Sequence, residues 1–255
     1  IDKSDDKLYF PSAFSYLGLK LEKGNGKNFR SFADIRFRYG TEFLKPVSKL
    51  DIREAWVSVN GKKWNFSAGQ KIIKWGRCDF TNPTSKLSPI NMISRSPDRE
   101  DMDMGNLLVS ADYFPWEKVK LEAVAVPYYR SSVLIIDPIR LPEYVVINQL
   151  PTLVTEKEMF SYALKADFHL KLFDWSLSWF EGFDPLPGIA LTQFSLDLTQ
   201  PIPVPYIELS VKPYKTRVLG IDFETAVGAI GIRGEAAWSD PVLSYEKNEY
   251  VPYPE

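Results

Sequence analysis

The chain has 255 residues, of which 45% are hydrophobic, 14% aromatic and 25% charged, with a formal net charge of −2. That balance predicts neither nucleic-acid binding nor attraction to acidic lipid, and no apolar run of about 18 residues is present to form a transmembrane helix. One cysteine (Cys78) and one histidine (His169) exclude an internal disulfide and argue against a His/Cys metal site, and nothing in the pattern calls for a cofactor.

Period-two alternation and turn chemistry predict five hairpins. The first is 14–23 and 29–39, joined by Lys23-Gly24-Asn25-Gly26-Lys27. The second is 51–60 and 64–74, joined at Asn60-Gly61, a step that tolerates the positive φ of a primed turn. The third is 105–114 and 118–128, turning at Pro115-Trp116-Glu117. The fourth is 160–172 and 175–183, turning at Phe173-Asp174, and the fifth is 217–226 and 229–239, turning at Val227-Gly228. Between hairpins lie 40–50, 75–104, 129–159 and 184–216, with a tail at 240–255. Segments 191–199 and 205–214 also alternate, as an extra hairpin or as strand extensions, and the Pro-interrupted 140–156 reads as a packed loop.

Short turns alternating with long connections, and strands of 9–12 residues, are the pattern of an antiparallel up-and-down transmembrane β-barrel. Its strands alternate, so the mean hydropathy of −0.20 does not count against it. The aromatic content fits girdles at two membrane interfaces. The strand at 160–172 shows the faces best: Phe160, Tyr162, Leu164, Ala166, Phe168, Leu170 and Leu172 on one, and Lys165, Asp167, His169 and Lys171 on the other. Elsewhere Phe29, Ala33, Ile35, Phe37 and Tyr39 oppose Arg30, Asp34, Arg36 and Arg38. Leu121, Ala123 and Ala125 oppose Lys120 and Glu122, and Leu219, Ile221 and Phe223 oppose Asp222 and Glu224. Ile230, Ile232 and Ala236 oppose Arg233 and Glu235. With Lys20, Lys71, Glu22, Glu54 and Asp112, the charged face carries nine bases and nine acids, which argues against a strongly anion-selective pore.

The segment Arg53-Glu54-Ala55-Trp56, followed by Gly69-Gln70-Lys71-Ile72-Ile73-Lys74-Trp75-Gly76 and Asp79-Phe80-Thr81-Asn82-Pro83, resembles a family of Gram-negative outer-membrane barrels. That family was long catalogued as a domain of unknown function and is loosely grouped with alginate-export and phosphate-selective porins. Asp98-Arg99 and Tyr113-Phe114-Pro115 extend the resemblance, which covers residues 50–128 and, more weakly, 217–239. It implies a pore in the bacterial outer membrane, in contact with lipid and with a small hydrophilic solute, and members are larger than ten strands. A complete barrel ends on an aromatic strand, whereas Pro252 and Pro254 rule out a central strand here. The expectation is therefore one barrel domain, part of a larger barrel.

The loop 75–104 is the candidate constriction; its charged residues are Arg77, Asp79, Lys86, Arg95, Asp98, Arg99, Glu100, Asp101 and Asp103, of which Arg77, Asp79, Arg95, Asp98, Arg99, Asp101 and Asp103 are the constriction candidates. A catalytic reading finds no support, because neither Ser161 nor Ser178 stands in a spacing that pairs it with His169. Glu100, Asp101 and Asp103 lack the glycine and terminal Glu of a calcium loop. Two alternatives stay open: a non-conducting barrel that serves as a structural partner in a surface complex or as a homo-oligomer, and a soluble β-rich carbohydrate-binding module.

Overall fold

The computed structural model describes residues 13–24, 28–42, 45–78, 82–93, 99–134, 142–148, 153–154, 159–197 and 203–242. It is all-β. The strands are β1 (Ala13–Gly24), β2 (Phe29–Glu42), β3 (Lys45–Asn60), β4 (Trp64–Lys71), β5 (Asn106–Trp116), β6 (Val119–Val126), β7 (Tyr129–Arg130), β8 (Val145–Asn148), β9 (Leu153–Val154), β10 (Ser161–His169), β11 (Asp174–Phe183), β12 (Gly188–Asp197), β13 (Val204–Lys212), β14 (Lys215–Val227) and β15 (Ile230–Val242). Among the described residues, one 3-10 turn, Arg99–Met102, interrupts the segment between β4 and β5.

Ten strands form one antiparallel sheet in the order β1-β2-β3-β4-β5-β6-β10-β11-β14-β15. All five expected hairpins are present, and every step in the order is a neighbour in sequence or skips a short excursion. One excursion contains β7, β8 and β9; the other is the hairpin β12–β13, which takes β8 as a parallel partner in a separate three-stranded sheet.

The expected closed barrel is not formed. Among the described residues β1 and β15 are the two edges of the sheet, each paired on one side only. The stretch 40–50, expected as a long connection, is strand at 40–42 and 45–50, with Gly40 opposite Val47 and Tyr39 opposite Ser48. Both strands continue past the apolar band, where polar side chains hide the alternation. Segment 140–156, expected as a loop, contains β8 and β9. The strand at 160–172 stops at His169, so Leu170, Lys171 and Leu172 belong to the turn and not to the wall. The strand at 64–74 stops at Lys71, because the Glu54 carboxylate accepts the Ile72 N–H (3.0 Å) and draws the chain off the ladder.

The two faces separate as the alternation requires. In β14, Thr216, Val218, Gly220 and Asp222 are buried, while Arg217, Leu219 and Ile221 between them are exposed. The buried face is covered by the segment between β4 and β5. Its Ile73, Trp75 and Leu87 pack on Leu108, Val124, Val126, Ala163, Phe180 and Val218 to make the core. Leu87 and Leu108 are each 1% exposed, which makes each worth about 1.5–3 kcal/mol of burial.

Candidate functional site: a charged wall under a docked loop

The motif residues around β3 and β4 build the joint that turns the chain from the sheet onto its charged face. Charges at Asp51, Arg53 and Glu54 break the two-residue period, and the register slips there: Asp34 faces Glu54, but Ile35 faces Ile52. This β-bulge leaves Arg53 as the extra residue and re-aims its side chain. Arg53 reaches Asp34 (3.6 Å), the Asp103 carbonyl (3.4 Å) and the Glu100 carbonyl. Gln70 Nε2 donates to the Ile52 carbonyl. Gly69 lies opposite Trp56 at φ +131°, and a Cβ there would run into the Ala55 carbonyl and the Trp56 backbone. Gly76, at φ +92°, lies against the Glu235 carboxylate with no room for a Cβ. The glycines and the bulge thus let the segment 72–78 fold flat on the sheet.

From that joint the loop is held at both sides of the sheet by charges of opposite sign. Its acidic part meets the arginines of β2 and β3: Arg36 binds Asp101 (2.6 Å) and Asp34 (3.2 Å). Lys74 also pairs with Asp103. Burial pushes the Asp103 carboxyl up, against the lowering effect of Lys74 and Arg53. Its basic part meets the carboxylates of β10 and β14. Arg77 binds Asp222 (2.6 Å), Asp167 (3.4 Å) and Glu224 (3.6 Å). Burial alone would lower the Arg77 pKa, but the hydrogen bond and charge of Asp222, with Asp167 behind it, raise it overall. Thr84 donates to Glu235 Oε1 on β15 from both its hydroxyl (2.6 Å) and its N–H (2.9 Å). The loop therefore spans the wall from β2 to β15. A third anchor is Asp184, which takes Lys86 Nζ (2.6 Å) and the Tyr214 hydroxyl (3.0 Å).

The remaining wall charges sit on the same face and pair both along and across strands. Lys120 joins Glu122 (3.1 Å) and Asp112 (3.3 Å), and Lys165 joins Asp167 (3.1 Å) and Asp222 (3.7 Å). Arg233 binds Glu224 (3.0 Å), and Arg30 binds Glu22 (2.6 Å). Arg38 lies over Phe14, and Lys71 lies over Trp56. His169 Nδ1 is 3.3 Å from Asp174 at the exposed turn end, and Lys171 is exposed in the turn itself. Arg99 is exposed at the start of the 3-10 turn. Asp79, Arg95 and Asp98 lie outside the described residues. Of the functional contacts, sequence reasoning named Lys86 only as a charge of the loop and missed Arg53, Lys74, Thr84, Asp184 and Tyr214. Only Arg53 carried a signal, in the broken period. Among the described residues no three His, Cys, Asp or Glu side chains gather as metal ligands.

The opposite face is apolar and open across all ten strands. Leu19 and Leu21 on β1, Val57 and Val59 on β3, Phe66 on β4, Val109 on β5, Leu164 on β10, Leu177 on β11, Ile221 on β14 and Ile232 on β15 are all exposed. Aromatics gather at its margins. On the turn side Trp64 stacks on Tyr113 (4.1 Å between centroids), Phe168 on Trp175 (4.3 Å) and Phe173 on Phe223 (5.7 Å). On the loop side Tyr162 meets Phe160 (6.2 Å) and Trp179 (5.1 Å), and Leu219 links Trp179 to Trp238 across the ladder. One outward position further on, the face becomes ionic: Glu181, Arg217 and Asp240 are register neighbours.

No protein-family model matches the chain, and a search of curated proteins returns no match.

Proposed function

We propose that the ten-stranded sheet is wall of a porin-like channel in the bacterial outer membrane, through which small hydrophilic solutes diffuse. The apolar face contacts lipid, the charged face lines the interior, and the loop 75–104 is the constriction. The single observation that carries this reading is the continuous apolar face. Ten strands about 4.8 Å apart give an arc of roughly 43 Å, and Ile230 to Trp238 spans about 27 Å along β15. Even after strand tilt that is on the order of 1,000 Å², against a few hundred Å² for the largest patch of an ordinary soluble monomer. The aromatic margins and the ionic row beyond them match a membrane boundary. The resemblance around Arg53–Trp56 and Gly69–Gly76 points the same way. Further antiparallel strands at the β1 and β15 edges would make this wall a sector of a larger barrel.

A second reading is favoured by the loop itself. Held from β2 to β15 by Arg36–Asp101 and Thr84–Glu235, it covers wall charges such as Asp34 and Asp222, as a plug in a non-conducting structural barrel would. Two measurements separate the readings. A chain that is monodisperse without detergent is not a membrane wall. Inserted in planar bilayers, the channel gives stepwise ionic current; insertion without current leaves the plugged barrel.

A further inference from the structure

Among the described residues, β1 and β15 each have a strand neighbour on one side only, so each turns a row of backbone N–H and C=O groups away from the sheet. Hydrocarbon holds no water to satisfy such a row, so a lipid-facing sheet must have both edges covered. The strand order fixes the sense in which the two edges can meet. Along ten antiparallel strands the first and the last run in opposite directions, so β1 and β15 can join as an ordinary antiparallel pair.

The side chains select one register for that pair. On the charged face β1 carries Lys20 and Glu22, and β15 carries Arg233 and Glu235. Setting Lys20 opposite Glu235 also sets Glu22 opposite Arg233. On the apolar face the same register sets Leu19 against Ala236, Leu17 against Trp238 and Ser15 against Asp240, so the apolar band and the ionic row beyond it both run on across the seam. A slip of two residues brings like charges together, either Lys20 with Arg233 or Glu22 with Glu235, which destabilises a pair. A slip of one turns the leucines of β1 to the charged side.

The ten strands of one chain leave no room to meet each other in this way. An eight-stranded barrel is filled by its own wall side chains, and ten strands are only slightly wider. Here the charged face also carries the docked segment, whose Ile73, Trp75 and Leu87 pack on the wall. We propose that the β1 edge of one copy pairs with the β15 edge of a second copy, with Lys20 opposite Glu235 and Glu22 opposite Arg233. Ten strands from each of two copies close a ring of twenty with two such seams, wide enough for both docked loops. The inference rests on the lipid-facing reading of the apolar face.

The test is disulfide trapping of the full chain in a Cys78→Ser background, folded into phosphatidylcholine vesicles. Chains with Leu19→Cys are mixed with chains with Ala236→Cys before folding and then oxidised. The expected product has twice the 29.2 kDa of one chain. Leu17→Cys mixed with Trp238→Cys, a second pair in the same register, gives it too. Leu19→Cys with Trp238→Cys, and Leu17→Cys with Ala236→Cys, lie diagonally across the seam beyond easy disulfide reach and give about tenfold less. Lys20→Glu lowers the yield of the first pair, and Lys20→Arg keeps it. Circular dichroism checks that each variant retains its strands. Equal yields from direct and diagonal pairs overturn the register. One chain carrying both Leu19→Cys and Ala236→Cys that closes on itself as a monomer overturns the second copy, and so does the absence of trapping in every pair, which gives the edges to other strands. Chains that insert into the vesicles keep the membrane reading in either case, whereas chains that stay outside them lose it together with the seam.

Discussion

Replacing Ile221 by Arg separates lipid from water as the solvent of the apolar face. Ile221 is 47% exposed, midway between the ionic row at Arg217 and the turn at Val227, with Leu177 and Ala236 as its ladder partners. In a bilayer an Arg at the midplane costs about 2–4 kcal/mol, falling to about 0–1 near the interface. At about 1.4 kcal/mol per tenfold, the folding equilibrium of Ile221→Arg drops by roughly 25- to 700-fold. Val227→Arg, at a turn-side site that is 66% exposed, loses little. In water neither half-exposed site loses more than about 0.5 kcal/mol. The assay is urea-dependent folding into phosphatidylcholine vesicles, followed by the summed fluorescence of the seven tryptophans. A difference of less than about 0.5 kcal/mol between the two variants refutes the depth argument, and with it the lipid-facing assignment.

Removing the loop's main cation by Arg77→Gln leaves the buried Asp222 with Ser176 and the more distant Lys165; we expect a loss near the low end of the roughly 3–5 kcal/mol for breaking a buried pair. Faster proteolysis at Lys74 and Lys86 and larger single-channel current should accompany it, and unchanged values for both would mean that the loop is held elsewhere. Gly76→Ala meets both a positive φ and the Glu235 carboxylate, so it should cost about 1–3 kcal/mol. Gly228→Ala has positive φ but open space around it, so its thermal midpoint should fall less. Burial, then the charge of Asp184 and the hydrogen bond to it, push the Tyr214 hydroxyl up. A group raised in the folded state contributes stability that is whole below its unfolded pKa of about 10 and is lost as pH rises past it. Tyr214→Phe should flatten the alkaline arm of an unfolding profile; an identical arm would exclude Tyr214 as its source.

Much of the wall was legible because its causes are local. The period of two assigns Leu219, Ile221 and Phe223 to one face and Asp222 and Glu224 to the other without knowledge of any neighbour. The turn at Val227-Gly228 follows from Gly228, which takes the positive φ of +63°, whereas the turn after Asn60 forms without positive φ at Gly61. Where polar side chains occupied both faces, as at 40–50, the pattern went silent and the pairing of β2 with β3 was hidden. The candidate loop was recognisable by its length and charge, but its docking was not.

The chain alone determined which side chains share a face, because strand geometry repeats every second residue. Tertiary structure decided what each face meets. Arg77 finds Asp222 across 145 residues of sequence, and Thr84 finds Glu235 across 151. Loop charges and wall charges each offered several partners of opposite sign, and only the bulge at Arg53 and the missing Cβ atoms of Gly69 and Gly76 bring the right ones within hydrogen-bond reach. The open edges at β1 and β15 are likewise a property of the whole sheet, since pairing at one strand carries no information about closure nine strands away.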